Sequence, residues 1–147
     1  MRRLAALLCV LCLNLSLPVL AADYAKPSRQ ETFGDVTVYY NAFASSILQP
    51  DIAREAGLIR SKSLGALNIT VLKAGKPAPS NVTGTYQDLT GRSKPLSFIQ
   101  VNDKGSVSYI AQFAVEQADT YTFNISVKAG SDDAKSFSFD QQIYPGE

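Results

Sequence analysis

The sequence contains no histidine and no tryptophan, and only two cysteines and one methionine. The cysteines, Cys9 and Cys12, lie close to the N-terminus, and the methionine is Met1. Without histidine the chain cannot build a Ser-His-Asp or Cys-His catalytic arrangement, or the zinc, copper and haem sites that use imidazole ligands. The motifs of serine-lysine enzymes, phosphate-binding loops and dinucleotide-binding folds are also absent. These absences predict a protein that is not an enzyme and that holds no metal and no cofactor.

The N-terminal segment has the organisation of a secretory signal peptide. Arg2 and Arg3 precede an uncharged, leucine-rich run that ends in the small residues Ala21 and Ala22. Polar residues interrupt this run, which argues against a retained membrane anchor. Cleavage after Ala22 would give an exported, periplasmic protein with no retained membrane segment, no cysteine and therefore no disulfide.

The charge of the chain is small. The formal net charge is +1, and it becomes about −1 once Arg2 and Arg3 are removed with the signal peptide. Such a chain has no long-range field that would attract nucleic acid or an anionic membrane. We therefore expect no nucleic-acid partner.

Polar and hydrophobic residues alternate with a period of two along most of the chain, as is typical of half-buried β-strands. The clearest segments are 36–41, 67–71, 107–115 and 121–127, and the weaker ones are 82–89, 96–101 and 135–144. Short strands separated by turn residues predict an all-β fold, an immunoglobulin-like two-sheet antiparallel sandwich. The predicted organisation is a signal peptide at 1–22, a flexible lead-in at 23–34 and a single β-sandwich domain at 35–147.

The stretch ILQPDIAREAGLIRSKS, residues 47–63, is an exception to the alternation and predicts a helix of about two turns. Pro50 suits the first turn, Asp51 favours the positive end of the helix dipole, and Gly57 can end the helix in a left-handed conformation. We interpret the segment as one short crossover helix that connects the two sheets over one end of the sandwich.

Several residues around this helix are candidates for binding. Arg54, Arg60 and Lys62 could contact an anion or an acidic partner, although charged surface residues are usually only solvated. Tyr39 and Asn41 lie on the face of their strand opposite to Val38, so an aromatic side chain is either covered or offered to a partner. These five polar residues form the predicted binding site.

Two pairs of acidic residues, Glu116 with Asp119 and Asp132 with Asp133, occur in segments that separate predicted strands. Glycoside hydrolysis requires two carboxyl groups held across a cleft, and adjacency in a polar turn does not indicate such an arrangement. We interpret both pairs as parts of hairpin turns.

The order and spacing of several runs resemble a family of exported bacterial proteins known as the domain of unknown function 4426. The resemblance implies a periplasmic, β-rich domain and implies no catalytic residue. The positions at which the chain meets the motif are Asn41, Pro50, Ala53, Arg60 and Asn68. The runs that carry it are Tyr40–Phe43, Leu48–Ala53, Leu58–Ser61, Ala66–Val71 and Phe139–Tyr144.

Two functions remain open from the sequence. The first is a non-catalytic binding domain that contacts an envelope protein through loops or a sheet edge. The alternative is a small-ligand or glycan binder with an anion-contacting pocket near the helix. An exposed, uncharged edge strand beside the helix would favour the first function, and a closed concavity lined by Tyr39, Asn41 and Arg60 would favour the second. The oligomeric state also remains open.

Overall fold

The computed structural model describes residues 29–145, which form two β-sheets and one α-helix. The predicted signal peptide and residues 23–28 lie outside this part of the chain. A 3-10 turn, Ser45–Ile47, precedes the α-helix α1, Pro50–Ala56. The strands are β1 (Arg29–Phe33), β2 (Val36–Ala44), β3 (Leu64–Lys73), β4 (Lys76–Pro77), β5 (Ser80–Gln87), β6 (Ser93–Leu96), β7 (Phe98–Asp103), β8 (Ser106–Ala114), β9 (Asp119–Ala129) and β10 (Lys135–Ile143).

All pairs of neighbouring strands are antiparallel. The large sheet has the order β1-β2-β3-β8-β7, with β4 paired to the end of β3, and the small sheet has the order β10-β9-β5-β6. Strands β2-β3-β8-β7 follow the A-B-E-D order of an immunoglobulin sandwich, and β6-β5-β9-β10 follow its C′-C-F-G order. The predicted all-β, immunoglobulin-like sandwich is therefore confirmed.

Aromatic side chains from both sheets fill the core. Phe123 is fully buried, and its ring centroid lies 5.1 Å from that of Phe113 and 5.0 Å from that of Phe139. Aliphatic residues at other alternate positions of β2, β3 and β9 complete the interior. No disulfide is present among the described residues, so the stability of the sandwich depends on the burial of these apolar side chains.

Two boundaries differ from the sequence prediction. Arg29–Phe33 was predicted as flexible lead-in but forms β1, an edge strand paired with β2. The Arg29 guanidinium lies 5.4 Å from the Tyr40 ring centroid and donates a hydrogen bond of 2.8 Å to the Asp140 carbonyl oxygen, which joins β1 to β10. The predicted single strand 96–101 is wrong, because the chain changes sheets at Ser97 and forms β6 and β7.

The prediction that the helix crosses between sheets is also wrong. Helix α1 connects β2 and β3, which are antiparallel neighbours in the large sheet. It packs on the outer face of that sheet, where Leu48 and Ala53 form a second apolar cluster with Ala66 and Ile110. The chain changes sheets instead through short loops after β4, β6 and β8. Among residues 29–145, no helix is long and apolar enough to cross a membrane.

Candidate functional site

Helix α1 ends where the sequence predicts. Gly57 has φ of 68°, and the amide of Leu58 donates a hydrogen bond of 2.7 Å to the Ala53 carbonyl oxygen. This is the left-handed termination that glycine favours. The chain then turns back across the outer face of the large sheet rather than leaving the domain.

A hydrogen-bonded network holds the returning loop to the sheet. The side-chain amide of Gln112, on β8, accepts a hydrogen bond of 3.0 Å from the Ile59 amide and donates one of 2.6 Å to the Ile59 carbonyl oxygen. It also donates to the hydroxyl of Ser45 at 2.9 Å, and Ser45 donates to the same Ile59 carbonyl. Ser45 is completely buried. The backbone of Ile59 is therefore fixed on both sides while its side chain points away from the core.

Three exposed isoleucines adjoin this network. Ile47, Ile59 and Ile99 are 68%, 62% and 39% exposed, and they are three of the five large hydrophobic side chains exposed among residues 29–145. Ile47 belongs to the turn that contains Ser45, and Ile99 pairs across the strands with Ile110, two positions before Gln112. Large apolar side chains exposed in this way are candidates for contact surfaces.

Strand β7 borders the same region and is an edge of the large sheet. Between Phe98 and Asn102 it contains no charged residue. A cleft of about 130 Å³ separates it from helix α1 and is lined by Ile52 and Ala56 on one side and by Val101 on the other. We call β7 with Ile47, Ile59 and Ile99 the isoleucine edge.

The predicted site residues on β2 lie on the outer face of the large sheet, as the alternation indicates. Tyr39 is half-buried and Asn41 is exposed, and they pair across the strands with Thr70 and Asn68. The Oδ1 atom of Asn68 is buried and has no hydrogen-bond partner among residues 29–145.

The predicted cationic residues lie around the helix but are used differently. Arg54 forms an exposed ion pair of 2.9 Å with Asp51. Arg60 donates a hydrogen bond of 3.1 Å to the Ser46 carbonyl oxygen, which ties the returning loop to the 3-10 turn, and Lys62 is exposed. No hydrogen bond, ion pair or cavity described for residues 29–145 joins any two of the five predicted site residues.

Sequence reasoning missed Ser45, Gln112 and the exposure of the isoleucines. A serine or glutamine in a polar stretch has no distinguishing pattern, and Ile47 and Ile59 look like core residues in a linear reading. The roles of all these residues depend on contacts between segments far apart in the chain, which a local sequence pattern does not show.

The largest cavity described, of about 610 Å³, lies elsewhere, between the turns that join β1 to β2 and β9 to β10. Asp132 and Asp133 lie in the latter turn, as predicted. The Lys73 ammonium donates a hydrogen bond of 2.7 Å to Asp132, and this contact raises the pKa of Lys73. The ion pair ties the large sheet to this turn.

Substitution of Gln112 by alanine tests the network that supports the isoleucine edge. We expect the free energy of unfolding to fall by about 1–2 kcal/mol, because Ser45 and the Ile59 backbone lose their partners. Amide exchange at Ile59 should accelerate, whereas exchange in β9 should change only by the global loss of stability. Gln87→Ala, in the small sheet, is the control. Unchanged exchange at Ile59 would contradict the anchoring role.

Comparisons with known proteins agree with the fold. The sequence profile of the family described as domain of unknown function DUF4426 matches residues 30–146. A crystal structure of a DUF4426 family protein from Pseudomonas aeruginosa PAO1 is 42% identical, with a TM-score of 0.78 over 84% of this chain and 100% of that one. No curated protein has a significant match to the sequence.

More distant structural similarity involves FetP from uropathogenic Escherichia coli. A copper-bound variant of FetP is 14% identical, with a TM-score of 0.60 over 82% of this chain and 96% of that one. The same protein as isolated is 12% identical, with a TM-score of 0.61 over 82% and 95%. At these identities the similarity concerns the fold alone. The profile match over most of the sequence establishes that this chain belongs to the DUF4426 family.

Proposed function

We propose that the protein is an exported, periplasmic, non-catalytic domain that binds an envelope protein through the isoleucine edge. The observation that carries the proposal is that β7 is an edge strand with no charge between Phe98 and Asn102, exposes Ile99 and lies next to helix α1. The export signal read from the N-terminal sequence and the absence of histidine from the whole chain support the location and the non-catalytic role.

Strand β7 differs from the other edge strands in its lack of protection. Proteins usually guard exposed edges with charged residues or proline, since unpaired backbone groups invite a further strand. The other edges follow this rule, because β1 contains Arg29 and Glu31, β6 contains Lys94 and Pro95, and β10 contains Lys135 and Asp140. In β7 the only charge is Asp103, at its last position.

The chemistry of this surface favours an extended, apolar segment of a partner protein. A strand added to β7 would gain main-chain hydrogen bonds, and its side chains could contact Ile99 on the outer face of the sheet. Ile59, fixed by Gln112, offers a preorganised contact that loses little conformational entropy on binding. Lys62 and Arg60 at one side favour an acidic residue next to the apolar segment.

The alternative, an anion-binding pocket near the helix, has no comparable support. None of the four cavities described for residues 29–145 is lined by Tyr39, Asn41 or Arg60. The cleft beside the helix is small, and its charged wall residues are Glu55 and Asp103, both acidic.

Affinity capture from envelope extracts tests the proposal, with three forms of the protein compared quantitatively. We expect one envelope protein to be enriched by the wild-type chain and to fall about tenfold with Ile99→Lys, because a buried charge opposes strand addition. Ser138→Lys, at an exposed position of the opposite edge strand β10, is the matched control and should retain the partner. Equal capture by all three forms would contradict a role for the isoleucine edge.

A further inference from the structure

Two core tyrosines line a second cavity, of about 240 Å³, at the end of the sandwich where β8 leads into β9. Tyr86 comes from the end of β5 and Tyr121 from the start of β9, and their ring centroids are 6.4 Å apart. The loops after β5 and β8, with Lys94 of β6 and Ala114 of β8, form the remaining walls of the cavity. None of its lining residues belongs to the isoleucine edge.

The hydroxyl groups of these tyrosines belong to largely buried side chains. Tyr86 is 8% exposed and Tyr121 is 4% exposed, yet neither hydroxyl makes a hydrogen bond within residues 29–145. By contrast, the hydroxyl of Tyr109 accepts a hydrogen bond of 2.7 Å from the Ser80 amide. Buried phenols usually satisfy the hydroxyl in this way.

The two hydroxyls are nevertheless not sealed inside the core. Asn68 Oδ1 is the single buried side-chain polar atom without a partner among the described residues. The oxygens of Tyr86 and Tyr121 therefore retain contact with the open space of the cavity that these residues line. Each tyrosine has a buried ring and an available hydroxyl at the cavity wall.

Acidic groups surround these hydroxyls. Asp88, Glu116 and Asp119 all line the cavity. Burial, followed by the charge of Asp119 and then that of Asp88, raises the pKa of Tyr121, so its hydroxyl stays protonated at neutral pH. The prediction that Glu116 and Asp119 lie in a hairpin turn is wrong, because the chain changes sheets between β8 and β9 and Asp119 begins β9. This acidic pair shares the cavity with a third carboxylate, Asp88, from the loop after β5.

Asp88 is held in an ionised, oriented state. Its carboxylate accepts hydrogen bonds from the hydroxyl and the amide of Thr90, the latter at 2.9 Å, and these contacts lower the pKa of Asp88. Arg92 lies 3.7 Å from the same carboxylate and offsets part of its charge. Lys94 completes the wall as an exposed cation.

We propose that this cavity binds the ammonium group of a small primary amine. An ammonium group donates three hydrogen bonds, and phenolic oxygens and carboxylates are its acceptors. If the amine carries a carboxylate, that group would meet Lys94. The site is separate from the isoleucine edge and does not depend on protein binding there.

Nuclear magnetic resonance titration of the 15N-labelled protein tests this site. Ethanolamine is the probe, and ethylene glycol, in which a hydroxyl replaces the amine, is the neutral control. We expect ethanolamine to produce saturable shifts at the amides of Thr90, Gln117 and Tyr121, and ethylene glycol to produce none. Saturation by both compounds, or by neither, would overturn the proposal.

Two substitutions show whether the named groups carry the binding. Tyr121→Phe keeps the ring and removes only an unpaired hydroxyl, so it should preserve the fold and weaken ethanolamine binding about tenfold. Glu116→Gln, at an exposed position, should weaken it as well. Tyr40→Phe, a core tyrosine outside the cavity, is the matched control and should bind as the wild type does. Wild-type affinity in both Tyr121→Phe and Glu116→Gln would overturn the proposal.

Titration with β-alanine, which carries a carboxylate as well as an amine, shows whether the site takes amino acids or simple amines. If β-alanine binds more tightly than ethanolamine and Lys94→Ala removes the difference, the site takes amino acids. If the two compounds bind equally, the site takes simple amines. Either result supports an ammonium site, whereas a preference for acetate over ethanolamine would contradict it.

Discussion

Replacement of Phe123 by alanine is expected to lower the free energy of unfolding by about 3–5 kcal/mol. Phe123 is fully buried at the centre of β9 and joins the aromatic rings of both sheets, with Phe113 on one side and Phe139 on the other. Removing its ring deletes apolar burial and leaves a cavity that the flanking strands cannot close without breaking their pairing. Urea denaturation followed by circular dichroism measures the loss.

Phe137→Ala is the matched control for this substitution. Phe137 lies on β10, is half-buried, and packs at the margin of the same core. We expect its replacement to cost about 1–2 kcal/mol, because less surface returns to water. Equal losses at the two positions would contradict a core centred on Phe123.

Replacement of Gly65 by alanine is expected to destabilise the domain by about 2–3 kcal/mol. A Cβ atom added to Gly65 would lie within 3.0 Å of three ring carbons of Phe113. That ring cannot easily move away, because the rings of Tyr86, Tyr121 and Phe123 pack around it at centroid distances of 5.3, 5.6 and 5.1 Å. Thermal denaturation provides the measurement.

A double-mutant cycle separates this clash from the intrinsic preferences of alanine and glycine in a strand. Phe113→Leu removes the ring that Gly65 accommodates, so Gly65→Ala should cost much less in that background. If the two substitutions are additive, steric conflict with Phe113 is not the reason that glycine occupies this position.

Much of the fold follows from a period of two in the sequence. Segments 36–41, 107–115 and 121–127 contain uninterrupted alternation, and all lie within observed strands except Val115, which follows the end of β8. The alternation does not predict β1, because Arg29 and Glu31 occupy the core-facing positions of this strand. At the edge of the sandwich, long charged side chains in such positions can reach water. The alternation also does not predict the break between β6 and β7 at Ser97, because a period of two does not show where the chain changes sheets.

The sequence predicts the candidate surfaces less well than it predicts the strands. Pro50 and Gly57 locate the helix, but the sheet to which it returns depends on pairing between β2 and β3, which local patterns do not determine. Tyr86 and Tyr121 read as core aromatics, and their rings are indeed buried. Whether a tyrosine hydroxyl finds a partner depends on distant segments, so the unpaired hydroxyls emerge only from the folded chain.

Photo-crosslinking in living cells tests the central claim, that the isoleucine edge binds an envelope protein, most directly. A photoreactive amino acid is placed at Ile99 on β7 and at Lys62 beside the helix, with a control at Lys128 on the central strand β9 of the small sheet. We predict the same discrete protein adduct from Ile99 and Lys62 and none from Lys128. No adduct at Ile99, or the same adducts at all three positions, would contradict the claim.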